Sequence, residues 1–276
     1  MSSFRRIATI VGYEWRRALA KKKVLGLLIL AIALQILLFV VLSRFPTLPS
    51  SLAELMWIVG VLSGQSLFVH LISMIIAGGS MAEEYEQGTA DILLSKPIKR
   101  VEYVTGKFLG GFSLLAFIEV ITTFLGVVLA FMFFGSQRDA HFAPIIFLAI
   151  VYSTLLFFSL TFMLGEVFRK GTLAMLTAFG VFIISNILGS ILSGYLYLTT
   201  GEKIYLDVSK ILPTWSATNF PSFVTAELIT SASTPLQPIL AGDVQLATAI
   251  IAIYSIASIV IAYVKFLKSD VTKRTG

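Results

Sequence analysis

Six long apolar runs constrain this chain more than any other feature of its sequence. Crossing about 30 Å of hydrocarbon as a helix takes roughly 20 predominantly apolar residues. The runs cover residues 24–42, 57–77, 108–134, 142–164, 172–198 and 246–267. Only 13% of the 276 residues are charged, whereas a soluble domain carries about 25%. The sequence therefore predicts an all-α polytopic membrane protein with six transmembrane helices.

Basic residues are distributed unequally between the segments that flank these runs. Six spans place both termini on one side, and 17 Lys and Arg residues lie on that side, against four on the other. Because basic residues are retained in the cytoplasm, we expect cytoplasmic N- and C-termini and a location in the plasma membrane. The net charge of +6 then reflects topology and contact with anionic lipid headgroups, and it gives no support for nucleic-acid binding.

The segment before the first run, residues 4–23, has the pattern of an amphipathic helix. Its apolar side chains recur at helical spacing, at Phe4, Ile7, Ala8, Val11, Trp15, Ala18 and Leu19. Four arginines lie opposite them, at positions 5, 6, 16 and 17. A basic amphipathic helix of this kind lies in the headgroup plane, and Trp15 also favours the interface. We expect an interfacial helix; the alternative is a solvated leader that only fixes orientation.

The outer segment between the last two spans, residues 199–245, is long and contains the sequence ILPTWSATNFPSFV. Pro213 and Pro221 are expected to prevent a continuous helix there, and the aromatic residues favour an interfacial or re-entrant element.

Small residues at helix-packing spacing occur in several spans and allow helix backbones to approach closely. They are Gly60 with Gly64, Gly106 with Gly110, and the series Ser185, Gly189 and Ser193. They fit packing within one subunit or a seam between two copies.

The cytoplasmic segment 83–107 is charged, yet it contains a short apolar stretch. Residues 83–87 continue the second span, and Gly88 is a typical helix stop. Thr89 can cap a two-turn helix with the sequence ADILLS. Pro97 ends that helix and can begin the next one, PIKRVEYVTGK, which leads into the third span.

The two-turn helix places Ile92, Leu93 and Leu94 where water is expected. An exposed apolar patch surrounded by charge marks a contact site. The alternative from the residues alone is that the three side chains pack onto the membrane ends of their own helices.

The order and spacing of this segment resemble the cytoplasmic signature of the membrane subunits of type-2 ATP-binding-cassette (ABC) exporters. The pattern is E-x-G-T, an apolar stretch, L-S-x-P-I-x-R and then G-K. The matching positions are Glu86, Gly88, Thr89, Leu94, Ser95, Pro97, Ile98, Arg100, Gly106 and Lys107. The interfacial helix, six spans, cytoplasmic termini and long last outer segment also fit that family.

The resemblance implies that residues 83–107 hold a coupling helix, which sits in a groove of a separate ATP-hydrolysing subunit. The expected partner-coupling residues are Glu86, Gly88, Thr89, Ile92, Leu93, Leu94, Ser95, Pro97, Ile98, Arg100 and Lys107. It also implies that the whole chain, 1–276, is one permease domain that pairs with a second copy or a paralogue. ATP and Mg²⁺ are then expected on the partner, because this chain lacks the G-x-x-x-x-G-K-[ST] phosphate loop.

Polar residues inside the predicted spans suggest a second kind of site. His70, Glu119 and Asn186 are candidates for lining a substrate path. Polar and ionisable side chains inside a membrane cost free energy, and they commonly mark substrate or ion pathways. The competing interpretation is that they form interhelical hydrogen bonds that fix packing. A stand-alone secondary transporter or channel that uses Glu119 is the alternative function.

Catalytic and metal sites have little support in the sequence. The pair Glu83 and Glu84 suggests an intramembrane glutamic protease, but Gly88 occupies the position where that motif needs arginine. Asp139 and His141 provide only two candidate metal ligands in an outer loop, and a metal site needs more. The chain has no cysteine, which excludes thiolate ligands and a cysteine nucleophile. We expect a transport subunit that is not an enzyme and binds no cofactor or metal itself.

Overall fold

The computed structural model describes residues 3–20, 22–44, 49–63, 65–88, 98–229 and 240–268. These residues are almost entirely helical, and they contain no strand. Six helices are long and apolar enough to cross a membrane: Val24–Leu42, Met56–Glu86, Arg100–Phe134, Ala140–Phe168, Gly171–Thr200 and Val244–Lys268. They are named the first to sixth spans below. The prediction of an all-α polytopic membrane protein with six spans is confirmed.

The fourth span lies at the centre of the bundle. It packs against the second, third, fifth and sixth spans, and its Phe157, Phe158 and Phe162 are almost completely buried. The first and fifth spans lie at the periphery, with only 17% of each apolar window buried within the chain. Most of their surface is therefore available to lipid or to another subunit.

Two spans contain π-helical segments. The second span consists of helix Met56–Ser63, π-helix Gln65–Val69 and helix His70–Glu86. The fifth span consists of helix Gly171–Gly189, π-helix Ser190–Leu196 and helix Tyr197–Thr200. Such wider turns occur frequently at functional sites.

The outer segment forms two helices, Lys203–Ile211 and Pro213–Leu228. The break at Leu212 agrees with the expected effect of Pro213, which occupies the first helical turn. The expectation is wrong for Pro221, which lies inside the second helix. Its neighbours Phe220 and Phe223 are buried against the bundle, and this packing compensates for the hydrogen bond that proline cannot donate. Two further short elements are the α-helix Ser50–Ala53 and the 3-10 helix Ala140–Phe142.

The N-terminal helix, Ser3–Leu19, packs along the N-terminal part of the third span. Gly106 and Gly110 make this contact possible, since a Cβ atom at either position would lie 2.7 Å from a side-chain atom of Ile10 or Glu14. The buried face of the helix consists of Ile10, Glu14 and Ala18. This glycine pair therefore packs within the subunit, against the N-terminal helix.

Gly60 also makes a contact within the subunit. A Cβ atom there would lie 2.8 Å from the Gly126 carbonyl oxygen in the third span. Gly64, its predicted companion, lies outside the described residues.

Candidate functional site

The helix of the second span ends at Glu86, two residues before Gly88. Gly88 has φ +66°, in the left-handed region that favours glycine. Its amide donates to the Tyr85 carbonyl oxygen at 3.3 Å, as in a helix C-terminal cap. The following residues 89–97 lie outside the described residues. They include six of the predicted partner-coupling positions: Thr89, Ile92, Leu93, Leu94, Ser95 and Pro97.

The last turn before Gly88 is bound to the loop between the fourth and fifth spans. Glu86 Oε1 accepts a hydrogen bond of 2.9 Å from the Gly171 amide, which begins the helix of the fifth span. A carboxylate at a helix N-terminus interacts favourably with the helix dipole. Tyr85 donates its hydroxyl to Glu166 Oε2 at 2.8 Å, and the Arg169 guanidinium lies 4.9 Å from the Tyr85 ring centroid. The residues just before position 89 are thus bound to the C-terminal end of the fourth span and the N-terminal end of the fifth.

The chain that leaves residues 89–97 is fixed in a similar way. Ile98 packs against the buried apolar cluster that contains Tyr103 and Phe266. Arg100 donates to the Leu267 carbonyl oxygen at the end of the sixth span at 3.2 Å. Glu102 accepts from the Lys99 amide at 3.1 Å and from Arg6 Nε and Nη2 at 2.8 and 2.7 Å. The bond to Glu102 raises the pKa of Arg6. This pair joins the start of the third span to the N-terminal helix.

A buried cluster of charges lies beneath these contacts. Lys107 is completely buried, and its Nζ donates to Glu84 Oε1 and, at 2.5 Å, to Glu14 Oε1. Arg17 Nη2 donates to Glu14 Oε2 at 2.8 Å and to the Gly79 carbonyl oxygen at 2.7 Å. We call Glu14, Arg17, Glu84 and Lys107 the charge cluster.

The charge cluster contains two acidic and two basic side chains, so its formal charge is zero. Its members come from the N-terminal helix, the second span and the third span. Tyr13, whose ring centroid lies 5.1 Å from Lys107 Nζ, borders the cluster. Burial and the Glu84 charge raise the pKa of the Tyr13 hydroxyl. The ion pairs of the cluster hold the N-terminal helix against the second and third spans.

Lys107 is one of the predicted partner-coupling residues. Its side chain is inside the subunit, where it contacts Glu14 and Glu84. Glu14 was not among the predicted site residues. One signal for it was available, because Glu14 follows Ile10 and precedes Ala18 at four-residue spacing on what proves to be the buried face.

The three candidates for a substrate path do not form one site. His70 is buried in the second span, with its ring 5.5 Å from the rings of Phe157 and Phe182. Asn186 donates to the Phe182 carbonyl oxygen at 3.0 Å, so both residues contact Phe182. Glu119 lies at a separate cavity, beside Gln35 of the first span.

Asn186 also lines a polar pocket of about 150 Å³ between the fifth span and the outer helices. The small residues Ser185, Gly189 and Ser193 lie along the same pocket, opposite Thr214 and Trp215. Within this chain these small residues border the pocket. Gly189 forms no close helix crossing, because a Cβ atom added there would lie 3.7 Å from its nearest neighbour, Leu212.

The alternative chemistries gain no geometric support. Within the described residues, no group of three or more His, Cys, Asp or Glu side chains could hold a metal ion. Asp139 Oδ2 lies 3.5 Å from Arg138 Nε, and the His141 ring packs 4.1 Å from that of Phe142. Glu84 belongs to the charge cluster.

Comparison with known proteins agrees with this architecture. The family model described as ABC-2 family transporter protein matches residues 8–271. A search of curated proteins found no match. Because the family model spans nearly the whole chain, including all six spans and the segment 83–107, the chain belongs to the ABC-2 family of transporter proteins and is a permease subunit of that type.

Proposed function

We propose that this permease exports its substrate across the plasma membrane, driven by ATP hydrolysis in a separate ABC ATPase subunit. The segment from Glu86 to Lys107 couples the two subunits. ATP and Mg²⁺ bind on the ATPase, and the permease acts as a dimer with a second copy or a paralogue.

The anchoring of residues 89–97 at both ends carries this proposal. On one side, Glu86 contacts the Gly171 amide; on the other, Arg100 and Glu102 contact the sixth span and the N-terminal helix. A force applied to this segment therefore reaches the fifth span, the sixth span and the N-terminal helix directly. The charge cluster supports the same path, because a displacement of the second or third span moves Glu84 or Lys107 against Glu14.

The proposal is tested by purifying the tagged chain from its native membranes. An ABC ATPase is expected to co-purify, and ATP hydrolysis by the complex is expected to depend on the permease. Transport by the purified chain alone, driven by an ion gradient and lost in Glu119→Gln, would instead establish the alternative of a secondary transporter.

Gly88→Ala is expected to weaken binding of the ATPase roughly 5- to 30-fold. A left-handed backbone costs a residue with a Cβ atom about 1–2 kcal/mol, so fewer molecules present residues 89–97 in the docking direction. Affinity of the ATPase for the reconstituted permease measures the effect. Gly12→Ala is the matched control, because neither glycine has an atom within 4 Å of a Cβ position and only Gly88 has a positive φ. Equal affinities of the two variants would remove Gly88 from the coupling proposal.

The proposed topology is testable by labelling introduced cysteines. The chain has no cysteine of its own, so it gives no background labelling. A membrane-impermeant maleimide added to intact cells is expected to label Ser136→Cys in the outer connection. Thr9→Cys, on the exposed part of the N-terminal helix, should react only after the cells are opened. The reverse pattern would place the termini outside.

A further inference from the structure

A small enclosed cavity lies between the first three spans, within the membrane domain. Its volume is about 20 Å³, which exceeds the roughly 10–15 Å³ that one water molecule requires. The polar side chains that line it are Gln35, Glu119 and Thr122, and the remaining lining is apolar: Ala31, Val61, Phe68, Val69 and Ile72. Among the described residues that line it, Glu119 is titratable and the others are not.

Two of the residues that line this cavity each have a buried oxygen atom for which the described residues provide no hydrogen-bond donor. Gln35 uses its amide nitrogen to donate to the Gly60 and Thr122 carbonyl oxygens, at 2.8 and 3.1 Å. These bonds fix the amide orientation and leave Oε1 without a partner. Glu119 accepts from Thr122 Oγ1 at 3.4 Å through Oε2, while its Oε1 has no partner. Gln35 and Glu119 are 7% and 2% exposed, so bulk water cannot satisfy either atom.

The backbone at this cavity is also unusual. Phe68 and Val69 belong to the π-helical segment Gln65–Val69 of the second span. π-Helical turns are rare and are found frequently at functional sites, and this one borders the buried acid.

The charge of Glu119 needs compensation in this environment. An ionised carboxylate in the middle of a membrane helix costs about 3 kcal/mol or more. Within the part of the chain that the structure describes, no basic side chain forms an ion pair with Glu119. A proton on Glu119 removes the charge and supplies the donor that the cavity lacks.

We propose that Glu119 is a neutral acid that binds one water molecule together with Gln35. The O–H group of the acid, at Oε1, donates a hydrogen bond to the water, and the water donates a hydrogen bond to Gln35 Oε1. Thr122 provides a further polar neighbour, so the water has the two to four partners that buried waters have. The hydrated acid joins the first span to the third in the membrane interior. This site is independent of the proposed ATPase coupling.

Infrared difference spectroscopy of the purified permease in lipid nanodiscs tests the protonation. The spectrum of the wild type minus that of Glu119→Gln is expected to contain one protonated-carboxyl band near neutral pH. The matched control is Glu54→Gln, which removes an exposed acid in an outer connection and should leave that band unchanged. Ionised-carboxylate bands in the Glu119 difference spectrum would overturn the proposal.

The bound water is tested by filling the cavity. Val61→Ile adds a methyl group to the cavity wall, so the protonated-carboxyl band is expected to move to higher frequency as its hydrogen bond to water is lost. An unchanged band would show that no water is bound. Replacement of sodium by choline in the buffer should have no effect. A sodium-dependent change would identify a cation, in place of the proton, as the partner of Glu119 and would likewise overturn the proposal.

Discussion

Lys107→Met is expected to lower the free energy of unfolding by about 3–5 kcal/mol, the cost of removing one partner from a buried ion pair. Lys107 is completely buried, and its Nζ bonds to both Glu14 and Glu84. Methionine fills similar space but leaves the two carboxylates facing each other with Arg17 alone. Thermal unfolding of the detergent-solubilised protein, followed by size-exclusion chromatography, measures the loss.

Two comparisons separate this effect from the general cost of losing a lysine. Lys210→Met breaks an exposed pair with Asp207 of 3.1 Å, and such pairs contribute about 1 kcal/mol or less. The second comparison adds Glu14→Gln and Glu84→Gln to Lys107→Met, which removes the unpaired charges and should recover part of the stability. If Lys107→Met unfolds at the same temperature as Lys210→Met, the charge cluster does not stabilise the fold.

The membrane architecture was predictable because each apolar run carries its own signal. A span needs about 20 apolar residues wherever it packs, so the number of spans follows from local composition. The stop at Gly88 was predictable for a similar reason, since the left-handed conformation observed there depends mainly on the residue itself.

The charge cluster could not be predicted in the same way. Glu14, Glu84 and Lys107 lie in three different helices. The apolar runs and the count of basic residues predict only that they share one side of the membrane and do not pair them. Their contact follows from helix packing, above all from the close approach of the N-terminal helix to Gly110. The bond between Glu86 and the Gly171 amide depends on the tertiary fold for the same reason. At Pro221, tertiary packing overrides a local signal. Proline disfavours a helix interior, yet the helix continues through Pro221 because its neighbours Phe220 and Phe223 are buried.

Gly126→Val is expected to destabilise the membrane domain by about 1–3 kcal/mol, the usual cost of overpacking a core. A Cβ atom at Gly126 would lie 2.8 Å from the Gly60 carbonyl carbon and 2.7 Å from Gln35 Nε2. The backbone of the second span cannot yield as a flexible side chain can, so the second and third spans must separate.

The separation should also disturb the Gln35 bonds to Gly60 and Thr122, which join the first span to both neighbours. Gly180→Val is the matched control, because this helical glycine of the fifth span has no atom within 4 Å of a Cβ position. Thermal unfolding should show a large decrease for Gly126→Val and little change for Gly180→Val. Equal decreases would mean that valine acts through the local helix backbone, and the close contact between the second and third spans would then not be a determinant of stability.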